Sequence, residues 1–272
     1  MHNTLSVDGA DQSEPDGPFS WKQNFHPRAE TWISGKSFDL FVGSHDGYTR
    51  LASPVVHRRW VVALQDGLYF VRDVAEGAGQ HRLDISWHLA PDLHVQAQHL
   101  FRFKDSSQGL VIVPVEDHGW AESIHKGVWS PVYGRQSAAT VLNFGTKATL
   151  PVEFATVLVP LQEVSDPGTL TQLEEHDAAV KTYRYQAEGS EYRFFFALPD
   201  QPWRAGSVSS DAEFVCVFSR SGSDVQEIVF CKGSYVEIAA VRSLRTKYKV
   251  QRCEFTGGRV LCSDPDAPTS EV

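Results

Sequence analysis

The run from Pro54 to Leu89, PVVHRRWVVALQDGLYFVRDVAEGAGQHRLDISWHL, constrains this chain to an antiparallel β-fold more firmly than any other segment. Strand side chains alternate with a period of two, so VVHRRWVVAL sets Val56, Arg58, Trp60 and Val62 on one face and His57, Arg59, Val61 and Ala63 on the other. Asp66-Gly67 supplies a hairpin turn, and LYFVRDV is the return strand. A second turn through EGAG, where Gly77 and Gly79 permit positive φ, leads into HRLDISWHLAP, a third strand that ends at Pro91. Read as a meander, the run brings His57, Arg59, His81 and His88 into one small sheet. Ionisable residues are rarely placed in strands without a partner or a ligand, so this sheet is where a site is expected.

The remainder carries the same signal. SFDLFVG, GLVIVPV, FATVLVPL, YRFFFAL, EFVCVFS, EIVFCKG, SYVEIAAV and KYKVQRCEF are short runs rich in Val, Phe and Tyr, separated by Gly, Pro, Asp and Ser. The strongest helical pattern is GTLTQLEEHDAAVKTY, Gly168 to Tyr183, which predicts one short surface helix. The expected architecture is all-β, a large antiparallel multi-sheet β-sandwich of the super-sandwich type with little helix. Residues 1–165 are expected to form the main sandwich and 166–262 a second sheet portion of the same domain, divided near Ser165 to Gly168. The segment 263–272, SDPDAPTSEV, has no apolar period and reads as a disordered tail.

With 272 residues, 42% of them hydrophobic and 22% charged, the chain is long enough to bury a substantial core. No apolar stretch approaches the ~20 residues that span a bilayer, and the N-terminus lacks the basic and apolar regions of a signal peptide. A formal net charge of -9 argues against nucleic acid as a partner. It also argues against a polyanion, unless basic residues gather locally around Arg50, Arg58, Arg59 and Arg82. GxSxG, GxxxxGK[ST], HExxH and CxxC are absent, and no parallel strand and helix follow GAGQH, so hydrolase-elbow, P-loop, zincin, zinc-ribbon and dinucleotide readings have no support.

Cys253 and Cys262 flank EFTGGRVL; with Gly257-Gly258 as a two-residue hairpin loop, the two sulfurs stand directly opposite one another, at a spacing a disulfide accepts. Cys216 and Cys231 are roughly symmetric about the SRSGSD turn. Cysteines that pair in this way favour an oxidising compartment; the alternative is that all four are buried thiols packing as small hydrophobes.

HNTLSVDGADQ at His2 to Gln12, GPFSW at Gly17 to Trp21, HDGYTRL at His45 to Leu51 and the HRR strand, in that order, resemble the C-terminal β-domain of the heparinase II/III-like polysaccharide lyases. WSPVYG at Trp129 to Gly134, LPVEF at Leu150 to Phe154 and SDAEFV at Ser210 to Val215 extend the likeness, which is good over about the first 150 residues and looser beyond. The resemblance implies a lyase in which an α/α toroid packs on a large β-sandwich and uronic-acid polysaccharides are cleaved by β-elimination. In that family the HNT segment lies inside the β-domain, so a chain opening on it looks like a C-terminal portion without its toroid. The toroid carries the tyrosine and the asparagine or glutamine that neutralises the substrate carboxylate, and is expected in the same chain or a neighbouring one. Implied partners are an acidic polysaccharide and that toroid, and the implied compartment is periplasmic or extracellular. The other reading is a non-enzymatic carbohydrate-binding or structural β-sandwich.

The resemblance also implies site residues. His2 is a catalytic candidate, and a zinc ion is implied through His2, a carboxylate and His57. The carboxylate position falls near Phe19 to Trp21, where there is no acid, leaving Asp16 or Asp46 as substitutes; otherwise His2 and His57 hydrogen-bond within the sheet. Tyr48 is a candidate proton donor to a leaving glycosidic oxygen, or packs its ring under a turn. Arg59 shares the face of His57 and has the planar fork that captures a uronate carboxylate, or pairs with Asp73 or Asp84. His81 and His88 are an odd number of residues apart and lie on opposite faces, so one approaches the cleft. Among the 7 tryptophans, Trp120 and Trp129, in the polar stretch EDHGWAESIHKGVWSPVYG, are the candidates for stacking on a sugar.

Overall fold

A computed structural model describes residues 2–17, 20–22, 25–116, 119–161, 167–220, 224–239 and 241–263. Among these residues every regular element is a strand, and antiparallel ladders build all three sheets. The chain divides into two compact units, one of residues 1–32, 40–63 and 67–167, the other of 33–39, 64–66 and 168–272. The expected tail beyond Ser263 and the expected boundary at Ser165 and Asp166 lie outside the described residues.

The first unit is a sandwich of two sheets. Its small sheet has the order β1 (Leu5–Val7), β6 (Gln80–His88), β11 (Ser137–Thr149), β10 (Ala121–Trp129). Its large sheet runs β2 (Pro27–Ser34), β3 (Phe38–Tyr48), β4 (Val55–Leu64), β5 (Tyr69–Gly77), β12 (Val152–Leu161), β9 (Gly109–Pro114), β8 (Leu100–Phe103), β7 (Leu93–Ala97). β4 and β5 pair as the sequence predicts, with Arg59 opposite Asp73. The third strand departs from the expected meander. After the turn at Gly79, where φ is +89°, β6 crosses into the small sheet between β1 and β11, and the open edge of β5 takes β12 instead. His57 and Arg59 therefore belong to one sheet, and His81 and His88 to the other.

Burial explains why β6 changes sheet. Along it His81, Leu83, Ile85 and Trp87 are buried while Arg82, Asp84, Ser86 and His88 are more open, the alternation of a strand with one face on a core. That inner face is shared with Leu5 and Val7 of β1 and Leu142 and Phe144 of β11, in register. Phe144 of the small sheet meets Phe154 of the large one with ring centroids 5.0 Å apart, and Trp120 lies 4.6 Å from the same Phe154 ring. Each aromatic buried in this layer contributes about 1.5–3 kcal/mol.

The second unit is built on a sheet of order β13 (Thr169–Leu173), β14 (Val180–Ala187), β15 (Ser190–Ala197), β18 (Phe214–Arg220), β19 (Asp224–Ile238), β17 (Val208–Ser210), β16 (Trp203–Ala205), with β20 (Arg242–Thr256) on β19 and β21 (Arg259–Cys262) on β20. Phe195, Val215, Val217, Ile228, Phe230 and Val236 are central to its core. The helix expected over Gly168–Tyr183 is not formed. β13 and β14 occupy that stretch, because Thr169 and Thr171 and then Val180, Thr182 and Tyr183 suit a paired strand, and Asp177 turns the chain by accepting the backbone N–H groups of Ala179 (2.9 Å) and Arg204 (3.0 Å).

Cys253 and Cys262 stand opposite each other in the β20–β21 hairpin and are joined as a disulfide. Cys216 and Cys231 are free and buried. The register of β18 on β19 sets Cys216 opposite Val229 and Cys231 opposite Phe214, so the approximate symmetry about the turn does not make them partners. Burial raises both of these thiols above the ordinary range. Reduction is expected to cost the second unit roughly 2–3 kcal/mol, read as a lower Tm with reductant. A thiol reagent should label none of the four cysteines in the native, unreduced protein.

Candidate functional site

The segment from His2 to Gln12 lies along β6, and side chains from several strands hold its backbone and turn. Arg59 of β4 donates to the carbonyl of Asn3, and the Tyr48 hydroxyl at the end of β3 donates to that of Leu5 at 2.6 Å. Asp8 accepts from the ring of His81 (2.8 Å) and the backbone N–H of Arg82 (2.9 Å). Arg50 donates to the carbonyls of Asp11 and Gln12. With Leu5 and Val7 buried on the inner face, Thr4 and Ser6 face outward, on the side of Ser86 and His88.

This outer face is the floor of a groove of about 720 Å³. His2, Thr4, Ser6, Ser86 and His88 form the floor, Asp11, Gln12, Ser13 and Pro15 one wall, and the aromatic rings of Trp21 and Phe25 complete it. Trp21 is 61% exposed. His88 is fixed by Asn3, whose Oδ1 accepts the His88 backbone N–H at 2.7 Å and lies 3.3 Å from its Nδ1. With Nδ1–H donating to that oxygen, the neutral ring carries its lone pair on Nε2. Burial, together with the nearby rings of His125 and His2, lowers the pKa of His88, so the ring is uncharged at neutral pH.

Beneath the groove, in the sandwich interior, a second group of residues is closed on itself. The His57 ring donates through Nε2 to Asp73 at 2.6 Å, His45 Nε2 donates to His57 Nδ1 at 3.1 Å, and the backbone N–H of Gly47 donates to His45 Nδ1 at 3.2 Å. One tautomer of each ring satisfies the whole chain. Arg59 clamps Asp73 from the other side, Nε to Oδ1 at 2.6 Å and Nη2 to Oδ2 at 2.9 Å. Burial works to raise the Asp73 pKa, but the Arg59 charge and the His57 hydrogen bond outweigh it and hold the carboxylate at about 2. Burial and the neighbouring His57 push His45 down to about 4.

The sequence-predicted residues thus separate into two sets. His2 and His88 share the groove. Arg59, Tyr48 and His81 instead pin the segment that carries His2: Arg59 is engaged by Asp73 and Asn3, and His81 is buried with both ring nitrogens facing acceptors, Asp8 and the Ala78 carbonyl. Tyr48 has no exposed surface, and burial raises its hydroxyl pKa, so its ring belongs to the core of the first unit. Trp120 packs on Phe154, and Trp129 is 45% exposed at the end of β10; neither lines the groove. For zinc the donor set does not fit: both ring nitrogens of His57 are in hydrogen bonds, and among the described residues no three His, Cys, Asp or Glu are placed to hold a metal ion. Sequence reasoning passed over Asp11, Gln12, Ser13, Trp21, Phe25 and Ser86, although the density of polar residues after His2 was a usable signal. Tyr48→Phe is expected to cost about 1–2 kcal/mol in denaturant unfolding, because the buried Leu5 carbonyl loses its donor.

Solved structures place this architecture in a class. The chain resembles the crystal structure of heparinase III (TM-score 0.56, 14% identity, 72% of this chain and 29% of that one). It also resembles a mutant of the heparan sulfate lyase HepC from Pedobacter heparinus (TM-score 0.54, 16% identity, 73% of this chain and 30% of that one). At such identities the likeness is one of fold, that of their large antiparallel β-sandwich. The sequence goes further: the model of the family described as heparinase II/III-like, C-terminal, matches residues 1–181, and the chain belongs to that family. No curated protein matches it. The chain spans about 30% of the length of the solved structures it resembles.

Proposed function

We propose that this chain is the C-terminal β-domain of a polysaccharide lyase acting on uronic-acid glycans, and that the outer groove of the small sheet is its half of the cleft. The observation that carries the reading is the pairing of His2 and His88 on a hydroxyl-lined floor, with His88 neutral and its tautomer set by Asn3. β-Elimination needs a base to take the C5 proton of a uronate, a partner to neutralise the adjacent carboxylate, and an acid to protonate the departing O4. A neutral imidazole offers a lone pair to a proton, which suits His88 to the base step, with His2 beside it in the groove. The carboxylate neutraliser and a tyrosine are assigned to an α/α toroid, in this chain's longer form or in a neighbouring protein. A periplasmic or extracellular location accords with the Cys253–Cys262 disulfide. No described helix is long and apolar enough to cross a membrane.

The reading is tested by mixing the chain with the α/α toroid domain of a heparinase II/III-like lyase and following the ultraviolet absorbance of the C4–C5 unsaturated uronate. Product formation that is lost with His88→Ala and His2→Ala is expected. Glycan binding without product under every pairing would favour the carbohydrate-binding alternative.

A further inference from the structure

β10 ends the small sheet, and among the described residues no strand lies beyond it. Edge strands carry a row of backbone N–H and C=O groups without a neighbour, and proteins blunt them by shortness, irregularity or proline. The other sheet ends of the first unit are blunted in these ways: β1 has 3 residues, β7 is irregular between Val95 and Ala97, and β2 opens on Pro27. β10 has 9 residues and no proline, and runs against β11 in unbroken register from Ala121 opposite Gly145 to Trp129 opposite Ser137. All of it except Gly127 is exposed, including Ile124 at 43% and Val128 at 41%. Glu122, Ile124 and Lys126 share one face, the first two standing opposite Phe144 and Leu142. Glu122 meets His99 through one carboxylate oxygen at 2.7 Å, and among the described residues Lys126 has no ion pair.

We propose that this edge receives the same edge of a second copy of the chain, antiparallel and centred on Ile124. The two-fold axis then stands perpendicular to the sheet, and the interface is isologous. Ile124 faces Ile124 of the second copy. On either side of that contact, Glu122 of one copy faces Lys126 of the other, so the ion pair is made twice. Centring the pair on Ser123 or His125 instead sets both charges opposite other residues, and Glu122 and Lys126 therefore specify one register. A lysine by itself guards an edge against pairing. The glutamate equally spaced on the other side of Ile124 makes the edge complementary to itself. Pairing joins the two small sheets into one, with both grooves opening on the same face. Nothing in this assembly depends on the lyase reading.

Sedimentation velocity of the full chain across about 1–100 μM tests it. A reversible shift towards twice the monomer mass is expected, with the β10 amides gaining protection from hydrogen exchange as it occurs. Lys126→Glu and Glu122→Lys each set like charges face to face at both ends, and each should weaken the dimer about tenfold or more. The two substitutions combined should restore it to within about threefold of the wild type. A chain that stays monomeric throughout the range would overturn the proposal, as would a dimer that the single substitutions leave intact or that the double exchange fails to restore. Protection of β10 gained only on adding the α/α toroid domain of a heparinase II/III-like lyase would assign the edge to that partner and overturn it too.

Discussion

Asp73→Ala should destabilise the first unit by about 3–5 kcal/mol. The carboxylate is 2% exposed and holds two partners, His57 and Arg59. Its removal strands a guanidinium that is mostly out of water, and releases the His57 ring from the hydrogen bond that fixes its tautomer. The damage should travel to the groove, since Arg59 also holds the Asn3 carbonyl, and Asn3 orients His88. Hydrogen exchange would report it as loss of protection in β4, β5 and β1 together. The same carboxylate predicts an acid limb. Its folded pKa, about 2, lies below the ordinary 3.8. A depressed pKa means that the stabilisation is fully present above about pH 4 and is lost as pH falls through about 2. Urea midpoints measured across that window should fall in the wild type, with a smaller change in Asp73→Ala.

Glu254→Ala is expected to cost the second unit about 2–4 kcal/mol. Glu254 is 1% exposed and accepts the backbone N–H groups of Lys36 (3.0 Å) and Ser37 (2.8 Å) and the Ser37 hydroxyl (2.8 Å). Arg252 lies 3.4 Å away. These bonds tie the short segment 33–39 to β20, and alanine leaves buried donors without an acceptor. Gly35 belongs to the same arrangement, because a Cβ there would stand 2.6 Å from the Glu254 carboxylate. Urea unfolding monitored by exchange of β20 amides measures the cost; a loss under about 0.5 kcal/mol would show that water replaces the carboxylate freely.

The strands were legible wherever both alternation and β-branched or aromatic residues were present, as in RWVVAL, LYFVRDV and YRFFFAL. β10 was missed because AESIHKGVW is exposed along nearly its whole length, which leaves no apolar period to read. EIVFCKG and SYVEIAAV looked like two strands and are one, β19, irregular between Gly233 and Tyr235. The crossing of β6 could not be read from EGAG, since the same glycines serve a hairpin or a change of sheet. In the site, alternation correctly grouped His57 with Arg59 and separated His81 from His88. Asp73 was in view as an ion-pair partner for Arg59. Its joint hold on Arg59 and His57 was not, because it depends on the register of β4 against β5 and on burial from the opposite sheet. Polar residues after His2 became a wall only once Arg50, distant in sequence, had folded their carbonyls inward.

The most direct test of the account is the histidine ring spectrum of the isotopically labelled chain during titration with a uronate hexasaccharide. The account predicts that the His2 and His88 ring signals shift with ligand while those of His45, His57 and His81 stay in place. Shifts in the buried set alone, or no shift in either groove histidine at saturating glycan, would contradict it.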